Sequence, residues 1–177
     1  MLRSVILFPA FAGLDIIQSL REKHDPLAHC IRPHITIVFP FESNLTTPEI
    51  QRHLKDQLSG IPPFQIRLAE ITGNCRDGYL FLNVKQGNDQ IIELHDRLYS
   101  GILKKYHYRK MPYSPHLTIG RVKEPEEFDR VLGELKDFDA SFATVIDQVC
   151  VECIGANEKS IVEIGHPLAV GFNIGLS

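Results

Sequence analysis

Two periodicities alternate along this chain, one of two residues and one near 3.6. A short apolar run at residues 4–8 predicts a strand, and Leu14, Ile17 and Leu20 then recur on one helical face. His34 to Phe39 is β-branched and aromatic and is closed by Pro40, as a strand would be. Thr47, Pro48 and Gly60 punctuate a helix: a hydroxyl cap, a proline at the first helical position and a glycine past the end. Phe64 to Ile71 and Tyr79 to Val84 read as strands joined through Asp77-Gly78, a hairpin signal. Ile91, Leu94, Leu98 and Ile102 form the longest helical stripe, over about 88–106. A strand over 115–122 and an acidic-started helix over 124–138 follow. Strands over 143–154 and 160–164, turning around Gly155, close the chain. No linker or low-complexity tract interrupts residues 1–177, so one domain is expected.

One phrase occurs twice. Arg32-Pro33-His34-Ile35-Thr36-Ile37 is echoed by Ser114-Pro115-His116-Leu117-Thr118-Ile119, with the histidines 82 residues apart. On a strand, residues two apart share a face. His34 and Thr36 therefore point one way, against Ile35, Ile37 and Phe39, and His116 and Thr118 oppose Leu117 and Ile119 in the same manner. The apolar set packs a core and the His-Thr set looks into a groove. Pro33 and Pro115 have no N–H to donate and mark strand entrances.

The chemistry available to that face is specific. Imidazole, with an ordinary pKa of about 6.5, serves as base when neutral and as acid when protonated. Two of them flanking a phosphodiester can divide proton removal from proton delivery, and threonine hydroxyls can donate to non-bridging oxygens as charge develops. A single His-x-Thr would more simply be a half-exposed polar pair. Two copies, each behind a proline and each on a predicted strand, point to a site.

Composition narrows the partners. The 177 residues carry 19 Lys and Arg against 22 Asp and Glu, a net charge of −3, which opposes wholesale wrapping of nucleic acid. It leaves room for a small anionic ligand or a strand end held by a few local cations. The first residues are too short an apolar run for a membrane span, and a cytoplasmic location is expected. Cys30, Cys75, Cys150 and Cys153 do not form a secreted disulfide pattern. Cys150 and Cys153, three apart on a predicted strand, face opposite ways and are read as structural, so no metal site is assigned. The basic, aromatic-interleaved segment Lys104 to Lys110 either grips a nucleic-acid backbone or is a solvated helix end.

Pro33-His34-Ile35-Thr36-Ile37-Val38-Phe39-Pro40 and Pro115-His116-Leu117-Thr118-Ile119-Gly120-Arg121 resemble the paired motifs of the 2H phosphoesterase superfamily, also called RNA 2′-5′ ligase-like or cyclic phosphodiesterases. The first copy, with Pro40, is similar to bacterial members of unassigned role. The second, with Tyr113 before it and Arg121 after, is similar to the ligase-like branch. The resemblance implies an α+β, bilobal, pseudo-two-fold fold, with two antiparallel sheets facing a central cleft and helices outside. It implies phosphodiester chemistry at ribose 2′ and 3′ oxygens without metal or cofactor. His34 and His116 would then be acid and base, with the first leaning to acid, and Thr36 and Thr118 would bind phosphate. Arg121 is expected to join them there, and Tyr113 and Lys110 to contact a base or RNA. The expected partner is an RNA end or a small nucleotide, with no membrane and a monomer favoured. A binding module that keeps the cleft without turnover is the alternative.

Overall fold

The structure, a computed structural model, describes residues 1–110 and 112–169. Its strands are β1 (Leu2–Leu7), β2 (Ile35–Glu42), β3 (Phe64–Asn74), β4 (Tyr79–Gln86), β5 (His116–Arg121), β6 (Ser141–Ile146), β7 (Gln148–Ile154) and β8 (Ser160–Pro167). Its helices are α1 (Leu14–His24), α2 (Thr47–Gln57), α3 (Asn88–Leu98) and α4 (Pro125–Leu135), with a 3₁₀ turn at Gly101–Tyr106.

Every strand pairing is antiparallel, in the order β6-β3-β4-β5-β2-β1-β7-β8. That order reads outward symmetrically from the junction of β5 and β2, the two strands that carry the repeated phrase. β1-α1-β2 and β4-α3-β5 are equivalent units, and each unit's helix packs on the other's motif strand: α1 on β5 and α3 on β2. The α+β, pseudo-two-fold architecture is thus as expected. The expected two sheets are instead pairing-continuous, because Ile35 pairs with Leu117 where the halves meet.

The core lies on the helix-covered face. Ile35, Ile37, Leu117 and Ile119 are fully buried there with Ile17 of α1 and Ile91, Leu94 and Leu98 of α3. Burying a side chain of this size stabilises the fold by about 1.5–3 kcal/mol, so the apolar alternation of each motif strand decides which face is left for His and Thr.

Several boundaries differ from the sequence expectation. Thr46, not Thr47, caps α2: its Oγ accepts from the Glu49 amide while the Glu49 carboxylate accepts from the Thr46 amide, a reciprocal capping box. β2 runs through Pro40 to Glu42, because the register against β1 shifts between Val38 and Phe41 and the proline sits in that irregularity. The long helical stripe breaks after Leu98, where Gly101 adopts a positive φ of 45° and the chain continues as a 3₁₀ turn. The run at 143–154 is two strands, β6 and β7, at opposite sides of the sheet. The expected turn at Asp77-Gly78 is present, with Gly78 at φ 72° and its missing Cβ leaving room for the Val122 carbonyl. No helix among the described residues is long and apolar enough to cross a membrane.

Candidate active site

The Ile35–Leu117 bridge sets the register of the site. One residue along in either direction, His34 comes opposite Thr118 and Thr36 opposite His116. All four point away from the core and are half-buried. The structure therefore brings both His-x-Thr pairs together on one face, each histidine across from the other copy's threonine.

Both imidazoles are held identically. His34 Nδ1 lies 2.9 Å from the Arg32 carbonyl and His116 Nδ1 2.8 Å from the Ser114 carbonyl. A carbonyl only accepts, so in each neutral ring Nδ1 carries the proton and Nε2 presents its lone pair. Neither Nε2 has a protein partner among the described residues. Burial lowers the proton affinity of both rings. For His34 the bond to Arg32 and the charge of Glu152 oppose that lowering. For His116 the bond to Ser114 opposes it, while the like charge of His34 adds to it.

Arg121 reaches the same face through a bulge. Strict alternation from His116 and Thr118 would put residue 121 on the core side. The β4–β5 register shifts by one at Ile119, so Phe81 opposes Thr118 and Tyr79 opposes Arg121. The Arg121 guanidinium lies 4.6 Å from the Tyr79 ring centroid and donates to its hydroxyl. Tyr79 stacks on Phe81, whose ring centroid is 4.1 Å from that of His116.

The other half carries a counterpart that the sequence reading passed over. The exposed Arg32 guanidinium sits 4.0 Å over the Phe8 ring, and Phe8 meets His34 edge-on at 6.4 Å. Each motif histidine thus has an aromatic neighbour, and each half adds an arginine laid on a ring. Arg32 and Phe8 also wall a recess of about 240 Å³. The signal for Arg32 was in the quoted Arg-Pro-His itself. Phe81 and Tyr79 could be found only once β4 was known to pair with β5.

Tyr113 has an internal partner. Its hydroxyl donates to the Thr36 carbonyl at 2.7 Å, its ring lies flat on His95 at 3.8 Å, and burial pushes its phenol up. His95 Nδ1 in turn donates to the Ile37 carbonyl at 2.8 Å, and the Phe39 amide donates to the Tyr99 hydroxyl at 2.9 Å. Past its one bridge to β5, the β5-facing edge of β2 is thus held by side chains from α3, from Tyr99 at its C-terminal end and from the segment entering β5. This placement makes Tyr113 a brace for the Thr36 backbone. Tyr113→Phe is expected to lower stability by about 1–2 kcal/mol, because it strands a carbonyl. A urea midpoint unchanged by the substitution would refute that role. Lys110 is exposed and belongs to the basic segment that leads into β5.

No group of three or more metal-ligating side chains occurs among the described residues. Cys150 and Cys153 pair with Ile6 and Arg3 of β1, on opposite faces of β7.

A curled antiparallel sheet with two His-x-Thr strands meeting at its pseudo-two-fold centre is the architecture of a 2H phosphoesterase. The sequence profile of the 2′-5′ RNA ligase superfamily matches residues 8–152, and the chain belongs to that family. It is 30% identical over 146 residues to a Bacillus licheniformis protein provisionally named a phosphoesterase, covering 81% of this chain and 85% of that one. A Geobacillus thermodenitrificans protein with the same provisional name is also 30% identical, covering 81% and 83%. Among solved structures, a Thermus thermophilus protein superposes with a TM-score of 0.65 at 13% identity, covering 97% of this chain and 100% of that one. Escherichia coli LigT complexed with 3′-AMP gives 0.60 at 16%, covering 94% and 97%.

Proposed function

We propose that this protein opens 2′,3′-cyclic phosphates, or cleaves 2′-5′ phosphodiesters, at the ends of RNA or on nucleotides, using His34 and His116 as a proton-transfer pair. The observation that carries the reading is the Ile35–Leu117 register, which sets two Nε2-bearing imidazoles and two threonine hydroxyls on one face. Similarity to LigT, solved with 3′-AMP and with ATP, supports a nucleotide as the ligand.

In the proposed step His116 Nε2 takes a proton from water and the water oxygen attacks phosphorus. The bond from phosphorus to one ribose oxygen breaks, and His34 delivers a proton to that oxygen. Thr36 and Thr118 donate to the non-bridging oxygens as their charge grows, and Arg121 adds a cation on the His116 side. The two environments favour this order. Glu152 is buried, accepts from Ser4 and Ser160, and its charge favours a protonated His34. His116 has no such carboxylate among the causes acting on it and is opposed by His34.

The pH dependence follows. One imidazole must be protonated and the other neutral, and burial lowers both from 6.5. The bell of kcat/KM for a 2′,3′-cyclic nucleotide is therefore expected to peak below pH 6.5 and to decline toward pH 8, because kcat/KM reports the free enzyme's groups. Initial rates from pH 4.5 to 8.5 in EDTA check this. Rates that rise monotonically to pH 8.5 would exclude the pair as drawn, and nucleotide binding without turnover would move the protein to the binding-module reading.

A further inference from the structure

The segment between the 3₁₀ turn and β5 carries a feature that the two-histidine site does not use. Lys104, Lys105, Arg109 and Lys110 are four of the chain's 19 basic residues within seven positions. All four are exposed, and none has an ion-pair partner among the described residues. In a protein of net charge −3, this is a local concentration of unneutralised positive charge.

It also has a shape. Lys104, Lys105 and Arg109 rim a groove of about 630 Å³ whose other lining residues are Leu45, Gly101 and Ile102. Leu103, fully buried, anchors the turn beneath, and Tyr106 packs on Phe41 at 4.9 Å, so the cations stand on a fixed support. From that groove a line of aromatics runs back toward the site. Tyr108, 42% exposed, meets Phe39 at 5.7 Å. Phe39 lies three residues along β2 from Thr36, and Tyr113 joins it at 6.4 Å while bonding the Thr36 carbonyl. Cations beside an exposed ring, here Tyr108, are the pattern that follows a single-stranded phosphodiester backbone, with bases free to stack.

We propose that this groove is a second contact surface for single-stranded RNA, engaging the strand several nucleotides away from the end that reacts between His34 and His116. The inference rests on the proposed function for the end that reacts, and it adds the substrate class: oligonucleotides above mononucleotides. Arg109 precedes His116 by seven residues, so at most about 25 Å separates them along an extended chain. At about 3.4 Å per stacked nucleotide, about seven nucleotides bridge that span.

The experiment compares fluorescent RNAs of about two and ten nucleotides, each ending in a 2′,3′-cyclic phosphate, by anisotropy across a salt series. The proteins are the wild type, K104Q/K105Q/R109Q and K104E/K105E/R109E. The wild type should bind the ten-mer at least tenfold tighter than the dimer. Both variants should lose most of that advantage, and neutralising three cations should flatten the log–log salt slope by about 2. Turnover of a cyclic mononucleotide should stay within twofold of wild type, which reports that the site and fold are intact. Equal ten-mer affinity and salt slope in wild type and both variants would overturn the groove. So would a loss on the mononucleotide as large as on the ten-mer. If the wild type turns over neither the cyclic phosphates nor a 2′-5′-linked dinucleotide, the proposed function fails, while the anisotropy series still reads the groove.

Discussion

His34→Ala and His116→Ala should each lower kcat on a 2′,3′-cyclic nucleotide by about 10²–10⁴-fold, or about 3–5.5 kcal/mol of barrier. The two rings are tied to backbone carbonyls two residues earlier and leave Nε2 free, so neither is needed to hold its strand. Ile35 and Leu117 do that from the opposite face, fully buried. Both variants should therefore fold with melting temperatures near wild type and still bind a 3′-nucleotide through Thr36 and Thr118. Because the rings act on the same transition state, the double variant should fall little below the weaker single one. The pH profile should also separate them. Loss of the base removes the acid limb of the bell, and loss of the acid removes the alkaline limb. Full activity in either single variant would end the two-histidine mechanism for this protein.

Arg3→Met should destabilise the fold by about 3–5 kcal/mol. Arg3 is 2% exposed. Its Nε and Nη2 donate to Glu163 of β8 at 2.6 and 2.9 Å, and its Nη1 donates to the Leu45 carbonyl at 2.8 Å. Thr47, at the start of α2, donates to the same carboxylate at 2.5 Å. One guanidinium thus ties β1, β8, the loop after β2 and, through Glu163, helix α2. Removing it leaves a half-buried carboxylate without its cation. Arg3→Met/Glu163→Leu should recover much of the loss, since replacing both partners by apolar groups removes the uncompensated charge.

The hydrogen bond from Arg3 holds the Glu163 carboxyl down to about 2, well below its ordinary 4.5. A depressed carboxyl stabilises the fold above its unfolded pKa, and that stability disappears as pH falls from about 4.5 to about 2. Urea unfolding at pH 7 and pH 3 should show the wild type losing part of its margin over Arg3→Met at the lower pH. A margin below 1 kcal/mol at pH 7 would show the pair to be replaceable.

Much of this was legible along the chain because it depends on neighbours in sequence. The alternation in His34-Ile35-Thr36-Ile37 and in His116-Leu117-Thr118-Ile119 is enforced by the pleat, and the apolar members must be buried whatever the topology. That sufficed to place four side chains on polar faces, and the repeat itself was evidence that the faces belong together. The α2 cap was misread by one residue because Thr46 and Thr47 are both hydroxyl residues, and only Glu49 chooses between them by reaching back to Thr46. Residues 143–154 read as one strand because nothing in their composition marks Asp147. The break appears only when β6 pairs with β3 and β7 with β1.

The remaining features depend on pairing between distant segments. The register that opposes His34 to Thr118 follows from one bridge between strands about 80 residues apart. Arg121 faces the His116 side because β5 bulges at Ile119 against β4, where simple alternation would have turned it away. Tyr113 became a brace because folding brought it against His95 and the Thr36 carbonyl, where burial makes an internal hydrogen bond better than none. Periodicity along one strand decides which way a side chain points. What it points at is settled by long-range contacts, whose register and bulges are selected by the packing of the whole sheet against its helices.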